Sequence, residues 1–373
     1  MKHYIYADNA ATTKLDTDAF EAMKPFLLEE YGNASQPYSF SRTAKKALKE
    51  ARAQIATCIG ALPEEIYFTS CGTESDNWVI KQLALSDPQK QTIITSQIEH
   101  HAVLNSCASL EKLGYPIVYL PVDSKGIIAP ETLKKQISKN TRLVSVMFAN
   151  NEIGTIEPIK ELCDIAHKNG AYFHTDAVQA VGHTEIDVKE LGVDFLSASA
   201  HKFNGPKGIG FLYAKKGCGL SSFIDGGAQE FGMRAGTENV ASIVGMATAL
   251  QKNCDSLSKN KERLLNLERQ LLQEIQGLDF IRNGAALHIP GNMSLSFHHA
   301  DGEAILHRLD LKGIAVSTGS ACDSVNTQIS HVLTAIHLDR EYAEGTIRIS
   351  LGKYNSQEDT HKIAEELKKI VAH

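Results

Sequence analysis

The chain has 373 residues, 43% of them hydrophobic, and a formal net charge of −6. That length provides for a large core in about two domains, and the mild acidity excludes the basic footprint of a nucleic-acid or anionic-membrane binder. The amino-terminal stretch "MKHYIYADNAATT" carries no apolar signal core, and no run approaches membrane-spanning length, so a cytosolic enzyme acting on small molecules is expected.

From residue 14 to about 250, helical segments such as "TDAFEAMKPFLLEE" and "SRTAKKALKEARAQIATCIG" alternate with short strands: "EIYFTS", "QTIITS", "PIVYLPV", "RLVSVMFA", "AYFHTDA" and "DFLSASA". This alternation predicts an α/β fold with a mostly parallel sheet covered by helices. A long helical stretch follows, with Leu264, Leu267, Leu271, Ile275 and Leu278 at helical spacing. Beyond it, "NMSLSFHH" alternates as a strand and "SQEDTHKIAEELKKIVAH" reads as an amphipathic helix. The expected division is a large domain over 14–250 and a smaller α+β domain made of 1–13 plus 251–373. The seven cysteines show no CxxC pair and the 15 histidines no HExxH pattern, so neither a disulfide framework nor a metal site is expected.

The polar residues of interest fall at predicted strand ends, where open α/β sheets build their sites. "FTSCGTESDN" leads from a strand into a helix. Its backbone N–H groups and Thr73 suit a phosphate, although Thr73 and Ser75 are also ordinary capping residues. His100 and His101 end the next strand. Asp176 ends another, with Gln179 three residues on; the carboxylate suits a protonated ring nitrogen, or a helix N-cap. Lys202 lies in "SASAHKFNGPKGIGFL", in a tight loop after a buried strand, where a desolvated amine can form a Schiff base; on its own it also reads as a surface charge. A phosphate loop, a flat-ring partner, a carboxylate for a pyridinium and a strand-end lysine together specify pyridoxal 5′-phosphate.

Seven ordered motifs extend this reading over nearly the whole chain: "YADNAATT" (6–13), "NNEIG" (150–154), "HTDAVQ" (174–179), "SAHK" (199–202), "RAGTEN" (234–239), "GSAC" (319–322) and "IRISLGK" (347–353). With them the sequence resembles the cysteine desulfurases, in the class V aminotransferase group of fold-type-I pyridoxal-phosphate enzymes. The resemblance implies that Lys202 holds the cofactor, His100 stacks on its ring and handles protons, and Asp176 pairs with the pyridine nitrogen. It further implies that Asn151 and Gln179 contact the phenolic oxygen, and that Thr73, Ser199 and His201 hold the phosphate. Thr237 would reach a partner subunit's phosphate, which implies a homodimer with composite sites. Arg348 would clamp the carboxylate of L-cysteine, helped by Asn33, and Cys322 would receive the sulfur as a persulfide.

The "STGSACDSVNTQISHV" stretch around Cys322 resembles the branch with a long nucleophile loop, which serves iron–sulfur assembly and tRNA thiolation through a sulfur-acceptor protein. Related pyridoxal-phosphate reactions, selenocysteine lysis or transamination, are the alternative. The chain departs from the family pattern at Cys71, where glycine is usual, at Asp323 after the nucleophile, and in "GNASQPYSF".

Overall fold

The computed structural model describes residues 4–318 and 329–371. Cys322 and Asp323, and the expectations attached to them, lie outside the described residues. The strands in chain order are β1 (Ile5–Tyr6), β2 (Ile66–Thr69), β3 (Thr92–Ser96), β4 (Ile117–Leu120), β5 (Thr141–Ser145), β6 (Tyr172–Asp176), β7 (Phe195–Ser199), β8 (Gly210–Ala214), β9 (Phe280–Asn283), β10 (Asn292–Phe297), β11 (Ile314–Ala315) and β12 (Thr346–Ser350).

A seven-stranded sheet has the order β2-β8-β7-β6-β5-β3-β4. Five neighbouring strands, β4, β3, β5, β6 and β7, run parallel, and β8 is antiparallel to both β7 and β2. The expected mostly parallel α/β sheet is therefore present, with the Gly205-Pro206 turn region returning the chain as the one reversed strand. β7 and β8 are buried along their whole length, as a sheet covered on both faces requires. One large apolar cluster includes Ile94, Val144, Phe173 and Leu196 with Ile55 and Met246. Another lies on Trp78, Leu83, Ile93, Val103 and Phe195.

The ladder registers align the strand ends. Thr69 and Ser199 both pair with Gly210, Asp176 pairs with Ser197, and Ser96 with Leu120. The turns after β2, β3, β6 and β7 consequently open at one edge, with Thr73, His100, Gln179 and Lys202 just beyond it.

A second, antiparallel sheet has the order β12-β10-β9, and β1 pairs in parallel with β11. Its core gathers Leu264, Leu267, Leu271, Met293, Leu295 and Ile363, and also Ile5 and Ala7 from the start of the chain. Ser350 at the end of β12 binds the amino-terminal segment: the Asn9 N–H donates to its carbonyl at 3.1 Å and the Ala10 N–H to its hydroxyl at 2.9 Å. This junction lays residues 9–11 across the carboxyl edge of the large sheet. Among the described residues no helix is long and apolar enough to cross a membrane.

Candidate active site

A cavity of about 350 Å³ opens at that edge, lined by Thr73, His100, Asn151, Asp176, Gln179 and Lys202 among others. Ser199, His201 and Arg348 also line it. Lys202 ends a short turn, Ala200–Lys202, that follows β7 directly. Its Nζ donates to the carbonyls of Ala10 at 2.6 Å and Ala11 at 2.9 Å, while its own carbonyl lies 2.8 Å from His183 Nε2. The amine is thus aimed along the cavity by the amino-terminal segment. Gln179 Nε2 donates to the same Ala10 carbonyl at 3.0 Å.

Asp176 closes β6 and is buried, with one carboxylate oxygen accepting the Val178 N–H at 3.0 Å. Burial pushes its pKa up, and His100, the Val178 N–H and Lys202 pull it back. A protonated ring nitrogen brought beside it restores the anion, which is the charge balance a pyridinium needs. His100 caps the helix His101–Glu111: its Nδ1 accepts the Ala102 N–H at 3.1 Å, so the proton of the neutral ring is on Nε2. Burial lowers its pKa, the Asp176 charge opposes this, and Lys202 and His101 lower it further. His201 is driven down to about 4 by burial and by the nearby Lys202 and Lys207 charges; its Nδ1 lies 3.1 Å from Thr12 Oγ1.

The helix Gly72–Ser86 starts at the cavity wall. A Cβ on Gly72 would stand 2.4 Å from Val178 Cγ2, so glycine lets the strand-to-helix turn come this close to the segment that follows β6. The N–H groups of the first helical turn are unmet by the helix itself and favour an anion. At the other side of the cavity, Arg348 on β12 is buried. Its Nη2 donates to Asp8 Oδ1 at 2.8 Å and its Nη1 to the Asn151 carbonyl at 3.1 Å. Arg348 Nε is buried with no hydrogen-bond partner, a donor suited to a small carboxylate.

Compared with known protein families, residues 5–363 match the one described as "Aminotransferase class-V". The chain belongs to the class-V aminotransferase family. A protein named "Cysteine desulfurase IscS" from Dictyoglomus turgidum is 50% identical over 375 residues, covering all of this chain and 95% of that protein. A solved structure titled "NIFS-LIKE PROTEIN" is 38% identical with a TM-score of 0.94, covering 99% of this chain and all of that one. Another, titled "SspA in complex with cysteine", is 35% identical with a TM-score of 0.85, covering 94% of this chain and all of that one.

As a class-V aminotransferase family member the chain takes pyridoxal 5′-phosphate as its cofactor, and the residues fit it. The cavity has the volume of a small-ligand site. It sets a lysine amine, a buried carboxylate and a glycine-opened helix start around one space.

Not every expected site residue lines that space. Thr237 is exposed and Asn33 is half-buried, and neither is among the described residues lining the cavity. Asn33 Oδ1 accepts the Ser35 N–H at 2.9 Å. Ser35 Oγ donates to Glu238 Oε1 at 3.4 Å, and Arg234 holds Glu74 through two bonds of 2.8 and 3.1 Å. The "RAGTEN" segment is thereby fastened to the start of the helix Gly72–Ser86.

Sequence reasoning missed a buried polar layer behind the cavity. Asp76 is almost fully buried and lines the wall. Burial and the Asp176 charge push its pKa well up, while a hydrogen bond from Ser197 pulls it down. His174 lies 2.8 Å from Ser145 Oγ and 3.0 Å from Ser197 Oγ and is held neutral by burial, its pKa falling to about 3. Both residues stand inside quoted motifs, "GTESDN" and "HTDAVQ". Period-two alternation back from Asp176 was the available signal for His174 facing the same side.

Proposed function

We infer that the chain is a cysteine desulfurase that converts L-cysteine to L-alanine and receives the substrate sulfur on Cys322 as a persulfide. The observation that carries this reading is one cavity lined by Lys202 and Asp176 from the large sheet and by Arg348 from the small one. The chain's likeness to the structure solved with cysteine supports the substrate.

Lys202, His100, Asp176, Asn151 and Gln179 hold the ring of the cofactor, and Thr73, Ser199 and His201 hold its phosphate. When bound, pyridoxal phosphate supplies the electron sink that stabilises negative charge at the substrate α-carbon. Arg348 grips the substrate carboxylate, with Asn33 assisting once substrate is present. Asp8 fixes the guanidinium and so the direction of the grip. Lys202 Nζ, freed by the incoming amino group, takes the α-proton and returns it. His100 Nε2, which carries the proton of the neutral ring, serves as a proton donor to the reacting substrate. The Cys322 thiolate then attacks the substrate sulfur: an S–S bond forms, the Cβ–S bond breaks with its electron pair going to carbon, and protonation of that carbon gives alanine.

The same reading includes a cytoplasmic homodimer in which Thr237 reaches the partner's phosphate, and a sulfur-acceptor protein of iron–sulfur assembly or tRNA thiolation. The relative named IscS supports the former acceptor. Residues 14–250 act as the cofactor domain, and 1–13 with 251–373 as the smaller domain that carries the nucleophile loop. Borohydride reduction of the holoenzyme and peptide mapping test the lysine assignment. The pyridoxyl label is expected on Lys202, and a label on any other lysine contradicts it.

A further inference from the structure

At the end of β10 the chain passes through His298 and His299, and both rings meet a glutamate from the short helix Arg340–Ala343. His298 Nε2 lies 3.2 Å and His299 Nε2 3.9 Å from the same atom, Glu341 Oε2, and the three ligand atoms all fall within 4.8 Å of one another. A tetrahedral zinc ion with bonds of about 2.0–2.1 Å keeps its ligand atoms about 3.4 Å apart. The two measured spacings bracket that value.

The surroundings are those of a supported ligand set. His298 Nδ1 is 3.0 Å from Asp279 Oδ2, and the Tyr342 hydroxyl donates to Asp279 Oδ1 at 3.0 Å. A carboxylate on one imidazole nitrogen leaves the other as the metal-facing lone pair, and this arrangement recurs around protein-bound zinc. The Tyr342 ring stacks on His298 at 4.6 Å, and the His298 and His299 rings stack at 3.9 Å. The backbone holds the pair as well: the His299 N–H donates to the Glu341 carbonyl at 3.0 Å and the His298 N–H to the Asp279 carbonyl at 3.1 Å.

We propose that His298, His299 and Glu341 form a binding site for a borderline divalent transition metal such as zinc, with Asp279 orienting His298. Two imidazoles and one carboxylate leave a coordination position for water. Nitrogen ligands favour zinc, nickel and copper over magnesium or calcium. Occupied, the site ties the residue before β9, the end of β10 and the segment entering β12 into one clip at the edge of the small sheet. None of the four residues lines the cofactor cavity. The separation of 298–299 from 341 along the chain is why spacing in the sequence gave no sign of it.

The test uses the holoenzyme in a Cys322→Ser background, which removes the loop thiol as a competing ligand, titrated with zinc alone by calorimetry and by thermal melting. Zinc is expected to bind and raise the melting temperature. Glu341→Gln and His299→Asn are each expected to weaken binding at least about tenfold, and Asp279→Asn about tenfold through the orientation of His298. In an otherwise wild-type chain, His299→Asn keeps its cysteine turnover. Zinc affinity unchanged in both ligand variants, or no zinc-dependent shift in the parent, overturns the site.

Discussion

Arg348 shows how one residue serves two structures. Two of its nitrogens are spent on Asp8 and on the Asn151 carbonyl, and the third, Nε, is buried with no hydrogen-bond partner. Lysine has a single compact ammonium and cannot satisfy all three directions. Arg348→Lys is therefore expected to raise the KM for L-cysteine by about tenfold or more, about 1.4 kcal/mol per tenfold, in steady-state assays of alanine formation; an unchanged KM contradicts the carboxylate role. Glu99 makes a different prediction. Burial pushes its carboxyl up to about 8; the Ser96 hydroxyl and the Met147 N–H pull it down, and the Asp176 and Glu157 charges raise it. A group with a raised native pKa stabilises fully below its unfolded value and loses that contribution as pH rises through the native one. Urea stability of the wild type is thus expected to fall between about pH 5 and 8, and to fall less steeply in Glu99→Gln, whose amide keeps both hydrogen bonds. Equal slopes contradict a protonated Glu99. The sequence exposed Lys202 and Asp176 because each ends a recognisable strand. It hid Glu99 and Asp76, since whether a carboxylate lies under a helix or in water is decided by packing from distant segments.

Elements carry the site by where they stop. The chain from "RLVSVMFA" was expected as one strand, but β5 ends at Ser145; Val146 and Phe148 continue to bond β6 singly before the Asn150 turn. The helical stretch expected to run on to Leu278 ends at Glu274, with Ile275 as its cap and Gly277 just beyond. Both differences are at boundaries, where periodicity is uninformative and local hydrogen bonds decide. The turn from β2 into its helix was legible in type but not in tightness, because the contact of Gly72 with Val178 joins segments far apart in sequence. Gly72→Ala is expected to push Val178 into the cavity and lower the cofactor content of purified protein, read from visible absorbance. Full cofactor content would show that the turn yields without consequence.

For the whole molecule, the cavity is lined from the large sheet by Lys202 and Asp176 and from the small sheet by Arg348, so the proposed activity requires both to hold together through residues 7–11. The α/β alternation was legible because strands and helices differ in period. No local pattern pairs the two ends of a chain, so periodicity gives no account of residues 5–7 joining the carboxyl-terminal core. The proposed homodimer belongs to this scale. Sedimentation is expected to give a homodimer, and Thr237→Ala to release cofactor more readily while remaining dimeric; retention equal to wild type contradicts a shared phosphate site. The central claim is tested most directly by measuring alanine and protein-bound persulfide formed from L-cysteine by wild-type holoenzyme and by Cys322→Ala. The account expects both products from the wild type, and from the variant full cofactor content with neither product above background. Undiminished alanine formation by Cys322→Ala would contradict it.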